Sequence, residues 1–206
     1  DEKYDLVRTL RKGKWEYIRN YQAFYPDGLQ NNYRYRMLAF AEWRELYEAG
    51  KLNPSQRQFF EARPAEQLFD LSADPHEVND VSDDPKHKKV LLEMRARLRD
   101  KVKSIHDLSF YPESHMVDKA LGDGVAYGVA HAKEINRLVD VADLGILPFA
   151  KAQKLLAKAM QAKNPWERYW ACITASVHGE VAKPLVLVAK KVLSDENLMV
   201  RVRAAE

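Results

Sequence analysis

The sequence holds a single cysteine, Cys172, among 206 residues, so it can close no internal disulfide and offers no thiolate set for a zinc site. No apolar run approaches the roughly 18 residues that a membrane-spanning helix needs. The opening stretch, DEKYDLVRTL, lacks the basic-then-apolar pattern of a secretory leader. Nor does one sign of charge dominate. With 33 basic and 30 acidic side chains the formal net charge is +3, which excludes the domain-wide basic surface that nucleic-acid binding requires.

What remains is an ordinary globular balance, 46% hydrophobic and 31% charged, able to build one large core or two modest ones. Leu6–Leu10 and Trp15–Asn20 are β-branched and aromatic runs around Arg11-Lys12-Gly13-Lys14. They predict a hairpin with Gly13 at positive φ. Tyr21–Tyr35 reads as an exposed ordered loop in which Pro26 sets φ and Gly28 relieves the next position. A helix is predicted over Met37–Ala49, with Met37, Phe40, Ala41, Leu46 and Tyr47 on its apolar face and Gly50 as its stop.

Asn53-Pro54 opens a short helix through Phe60. Glu66–Leu71 is a brief strand with Leu68 and Leu71 expected inward, ended by the turn Ser72-Ala73-Asp74-Pro75. Asp84-Pro85 then starts an amphipathic helix presenting Val90, Leu91, Met94, Leu98 and Val102. From Asn136 the pattern is helical only, over Pro148–Ala162, Pro165–Val177, Val181–Leu193 and onward from Asn197.

Asn164-Pro165-Trp166-Glu167-Arg168 and Asn197-Leu198-Met199-Val200-Arg201 align at a spacing of 33. Two helices per unit with an early Arg fit a HEAT-like array, which needs several units for stability. Because VRVRAAE stops inside a helical pattern and the opening runs straight into a strand, both ends read as cuts in a longer chain.

The expected fold class is α+β: a small antiparallel sheet with packed helices over residues 1–108, a linker or irregular helical segment over 109–135, and truncated all-α HEAT-like repeats over 136–206.

Three stretches carry a resemblance. Arg8-Thr9-Leu10-Arg11-Lys12-Gly13-Lys14-Trp15-Glu16-Tyr17-Ile18-Arg19-Asn20, then Gly50-Lys51-Leu52-Asn53 with Gln56 and Phe59, and above all Arg63-Pro64-Ala65-Glu66-Gln67-Leu68-Phe69-Asp70-Leu71-Ser72-Ala73-Asp74-Pro75 through Asp80 resemble the C-terminal subdomain of the formylglycine-dependent (type I) bacterial sulfatases. The resemblance covers about half the chain, and some bacterial members carry a HEAT-like extension at this place. It implies a parent sulfuric ester hydrolase that acts on sulfated carbohydrate or aryl sulfate and is periplasmic or secreted. It further implies a partner in the N-terminal catalytic domain of the same chain, and calcium and formylglycine in that parent.

Such an enzyme makes its nucleophile from Cys or Ser in C/S-x-P-x-R, and this motif is absent, since Cys172 is followed by Ile173-Thr174-Ala175. No catalytic residue, metal ligand or cofactor is therefore expected within these residues. Asp83-Asp84 precedes Pro85 and reads as a helix cap before it reads as a cation site. The six histidines show no paired spacing on one helical face.

Arg pairs with sulfate and Tyr stacks on sugars, which makes Tyr33, Arg34 and Arg36 the candidate substrate contacts. The alternative is a non-catalytic helical-repeat module binding protein or polysaccharide, with Trp166, Tyr169 and Trp170 as contacts unless their helical spacing makes them core.

Overall fold

The structure is a computed structural model in which residues 5–29 and 31–206 are described; the sequence reading of residues 1–4 lies outside them. Strands β1 (Val7–Lys12) and β2 (Trp15–Asn20) form the expected hairpin, with Gly13 at φ +59° in the left-handed region. Strand β3 (Glu66–Asp70) lies antiparallel to β2, so the order is β1-β2-β3. The register aligns Leu10, Tyr17 and Leu68 on one face, and Tyr17 and Leu68 are buried there.

Against the sheet packs α3 (Lys88–Ser104), whose Leu91, Met94, Leu98 and Val102 are buried in the same hydrophobic cluster. Asp84 leads into it, its carboxylate accepting the Lys86 N–H at 2.9 Å, which is the capping role read from the sequence. The outer edge of β3 is partly covered as well. At Leu68 the strand donates its N–H to the Asp80 carboxylate at 3.0 Å and accepts the Val81 N–H at 2.9 Å, which covers the middle of that edge.

Helices α1 (Leu38–Glu48) and α2 (Pro54–Arg57) occupy the segment between β2 and β3. Asn53 and Gln56 form a reciprocal capping box at 2.9 and 3.0 Å. Beyond α3 follow α4 (Glu113–Lys119), α5 (Gly124–Ala130), α6 (Ala132–Ala142), α7 (Phe149–Ala159), α8 (Pro165–Val177), α9 (Val186–Val192) and α10 (Leu198–Ala205). The whole is a mixed α+β arrangement, a three-stranded antiparallel sheet with ten α-helices among the described residues.

Several expectations are corrected. Leu71 is only partly buried, and Phe69 is the second buried residue of β3. Side chains alternate along a strand, so residues three apart face opposite ways. The aromatic face of α1 is Phe40, Trp43 and Tyr47, which pack on Phe59 and Phe60, whereas Met37 stands half exposed.

Val181–Leu193 is not one helix: Gly179–Leu185 is a 3-10 turn and α9 begins only at Val186. Pro184 lies inside that turn and can donate no N–H to an α-helical ladder.

The helices that start at Pro165 and Leu198 are built alike. Asn164 caps α8 by accepting from Trp166 N–H, and Asn197 caps α10 by accepting from Met199 and Val200 N–H. Arg168 Nη1 returns to the carbonyls of Ala162 and Lys163 at 2.8 and 2.9 Å. Arg201 Nη1 does the same to Asp195 and Glu196 at 2.7 and 3.2 Å.

Candidate functional site

The loop after β2 is held by contacts that bury its first half. Tyr21, Gln22 and Ala23 are buried, not exposed as expected, because Tyr21 packs edge-on to Phe110 at 5.1 Å and toward Trp170 at 6.1 Å, both distant in sequence. Gly28 is needed for space and not for positive φ. Its N–H bonds the Phe59 carbonyl at 2.7 Å, and a Cβ there would lie 3.0 Å from that oxygen.

Arg63, the first residue of the most specific sequence stretch, is the clamp. It donates to the Tyr25 carbonyl at 3.0 Å, to Asp27 at 3.1 Å and to Asp5 at 2.7 Å.

On this support the three candidate residues are placed differently. Asn31 Oδ1 accepts the Arg34 N–H at 2.8 Å and starts a 3-10 turn over Arg34–Arg36. The Arg34 guanidinium turns inward over the Phe59 and Phe40 rings at 4.9 and 5.6 Å, and its Nη1 meets the carbonyls of Asp27 and Leu29. Tyr33 is 78% exposed and Arg36 is exposed beside it. With Met37 and with Leu38 at 88% exposure they make an apolar and cationic surface at the start of α1. Such a surface can pair an anion through Arg36 and cover a sugar or apolar partner through Tyr33.

The other stretch residues hold the chain in place. Glu66 receives the Tyr17 hydroxyl at 2.9 Å and the Arg95 guanidinium. Asp70 is held down to about 2 by Lys14, with Ser72 assisting. Asp74 caps the Asn79 N–H at 2.7 Å. These groups are committed to turns and ion pairs.

Cys172 is buried in α8, and burial pushes its thiol up to about 12, with Asp195 adding to the rise against the opposing Arg168. A thiol held protonated at neutral pH is a poor nucleophile. Among the described residues no group of three or more His, Cys, Asp or Glu side chains is placed to hold a metal ion.

Trp166, Tyr169 and Trp170 are core residues at 9%, 2% and 0% exposure, which removes them as contacts for a partner. The Trp170 indole donates to the Phe110 carbonyl at 2.7 Å. Trp166 packs on Tyr111 and His115, Trp170 on Tyr21 and Phe110, and Tyr169 under the Arg203 guanidinium of α10.

One cluster escaped the sequence reading. Tyr127 stacks on His131 at 3.8 Å, its hydroxyl meets His115 Nε2 at 2.8 Å, and Glu134 receives the Tyr111 hydroxyl and Asn164 Nδ2. The four-residue step from Tyr127 to His131 is its only local signal. Burial depresses the His115 pKa, with Glu134 opposing. Both Glu134 oxygens are engaged, so the cluster ties α4, α5 and α6 to the start of α8.

Comparison with known proteins identifies a sulfatase-related region in this chain. The relative is an ulvan-active sulfatase of Formosa agariphila, 34% identical over 120 residues, which are 58% of this chain but only 20% of that enzyme. The chain thus spans about a fifth of the curated relative it matches. No protein-family model matches the chain, and no solved structure matches it.

Proposed function

We propose that this chain is the C-terminal portion of a sulfuric ester hydrolase acting on a sulfated carbohydrate or aryl sulfate, and that its sheet segment completes a catalytic domain lying N-terminal to it in the parent protein. The observation that carries the reading is the 34% identity over 120 residues to an ulvan-active sulfatase. A sulfated polysaccharide of that kind is the first substrate class to test.

In this reading Tyr33 and Arg36 contact substrate, and Arg34 fixes the loop while leaving part of its guanidinium available. Formylglycine and calcium belong to the preceding catalytic domain, and the parent is periplasmic or secreted. Residues 1–108 form the subdomain, 109–135 the linking helices, and 136–206 a HEAT-like scaffold. The repeated Asn cap and Arg back-bond at a spacing of 33 support the last assignment.

The test is to purify the natural gene product, sequence its N-terminus and assay it beside the 206-residue chain with ulvan and an aryl sulfate. The parent is expected to carry C/S-x-P-x-R upstream and to release sulfate, while the 206-residue chain releases none. Turnover by the short chain, or a parent without the motif, sinks the proposal.

A further inference from the structure

The net charge of the chain is small, but it is not spread evenly. Between Asp143 and Glu167 the sequence carries four lysines, Lys151, Lys154, Lys158 and Lys163, and no acidic residue. All four are exposed. Three of them lie on α7 at spacings of three and four, which makes them neighbours on one face of the helix.

Like charges so placed repel, and Lys151 also stands in the first turn, where the helix dipole favours an anion. On α3, by contrast, Arg95, Arg97, Arg99 and Lys103 each have a carboxylate partner. Among the described residues no carboxylate lies within ion-pair distance of Lys154 or Lys158. The lysine stripe of α7 therefore costs the fold something and returns it no ion pair.

The stripe borders a groove. About 670 Å³ of space opens where α6, the end of α7 and the start of α8 meet, with Arg137, Lys154, Lys158, Gln161 and Glu167 along it. Glu167 is the one carboxylate among the described lining residues, and Arg137 Nε already holds it at 2.8 Å. Arg137 keeps its Nη donors and the two lysines keep their ammonium groups, all suited to a sulfate or carboxylate. Gln161 bonds the Ala157 carbonyl through Nε2 at 2.9 Å, which leaves its Oε1 to accept a hydroxyl. No aromatic ring is among the described lining residues, so the groove offers no platform on which a nucleic-acid base stacks.

We propose that this groove binds an anionic polysaccharide, taking a stretch of sugar chain that bears sulfate or carboxylate groups and so keeping the polymer on the protein. The proposal rests on the reading of the parent as an enzyme of sulfated carbohydrate. Binding is measured apart from sulfate release, so the failure of either is a separate result.

The test uses the full natural gene product with dextran sulfate, neutral dextran and single-stranded DNA as probes, followed by titration calorimetry. Dextran sulfate is expected to bind, more weakly as salt rises, and neutral dextran is expected not to bind. Lys154→Gln with Lys158→Gln is expected to weaken dextran sulfate binding by at least about fivefold, the share of a single lysine against an anionic surface. The charge-matched pair Lys190→Gln with Lys191→Gln, equally exposed on α9, is expected to change it by less than about twofold, since those charges lie outside the groove. Gln is nearly as good a helix former as Lys, so Tm should hold in both variants.

Three results overturn the proposal. One is a natural product that does not bind dextran sulfate at physiological ionic strength. Another is a loss from the α7 pair no greater than that from the α9 pair, which would assign binding to net charge and not to the groove. The third is single-stranded DNA bound as tightly as dextran sulfate and lost with the same α7 pair, which would make the groove a nucleic-acid site.

Discussion

Single side chains do much of the joining in this protein, and Arg168 with Asp195 shows how. Their side chains are 12% and 7% exposed, and the pairing is bidentate, the strong form of an ion pair. Removing one partner leaves the other charge buried without its mate, at a cost of about 2–3 kcal/mol. Arg168→Ala is therefore expected to lower Tm at neutral pH by about 4–12 °C for a chain of this size.

The pH dependence has a definite sign. The Arg168 hydrogen bonds hold the Asp195 carboxyl below the usual carboxylate range, against an opposing effect of burial. A carboxyl depressed in the folded state contributes stability that is complete above its unfolded value near 4 and is lost as pH falls through the lower folded value. Asp195→Asn should thus be less stable than the unaltered sequence at pH 7 and should close the gap in acid, once the pH has fallen through the lower folded value. Thermal melts at both pH values check this, and a gap that persists unchanged in acid would assign the effect to shape and not to charge.

At the scale of elements, what the sequence shows locally is what the structure keeps. Gly13, the Asn53 and Gln56 box, the Asp84 cap and the Asn164 and Asn197 caps each act through residues within three positions, and each is found where residue type places it. Misread elements fail where a local signal competes with periodicity. Leu71 looked inward by composition, yet β3 buries Leu68 and Phe69 on opposite faces and ends at Asp70.

Leu68→Ala should accordingly cost about 2–5 kcal/mol, as cavity-forming changes in a core do. Leu71→Ala should cost less than about 1 kcal/mol, since its side chain is only partly withdrawn from water. Urea unfolding of the two variants decides it. A larger loss from Leu71→Ala than from Leu68→Ala would mean that the strand is set one residue differently, because a one-residue slip exchanges the two faces.

Across the whole molecule the contacts that mattered most were the least legible, because they join residues more than 50 positions apart. Buried Arg19 of β2 donates to the Ala142 carbonyl at the end of α6 at 2.8 Å and lies 4.4 Å from the Tyr21 ring. Arg8 of β1 forks onto Asp107 at 2.6 and 2.9 Å. The candidate surface at Tyr33 and Arg36 was readable as a Tyr- and Arg-rich loop, but the inward turn of Arg34 depends on Phe40 and Phe59, which no local pattern announces.

One hydrophobic cluster runs from Leu6 through Tyr17, Leu91, Phe110 and Trp170 to Val200, so the sheet segment and the last helices share their interior. Strands and helices that share a core lose their packing together. The chain should therefore unfold in one transition, with near-ultraviolet circular dichroism and calorimetry giving the same midpoint.

Trp170→Phe tests the link directly. The change removes the indole N–H from the buried Phe110 carbonyl and should cost about 1–3 kcal/mol. If the core is shared, the loss lowers the midpoint of the strands as much as that of the helices. A variant whose helices melt first while the hairpin amides stay protected would instead mark two units that merely touch.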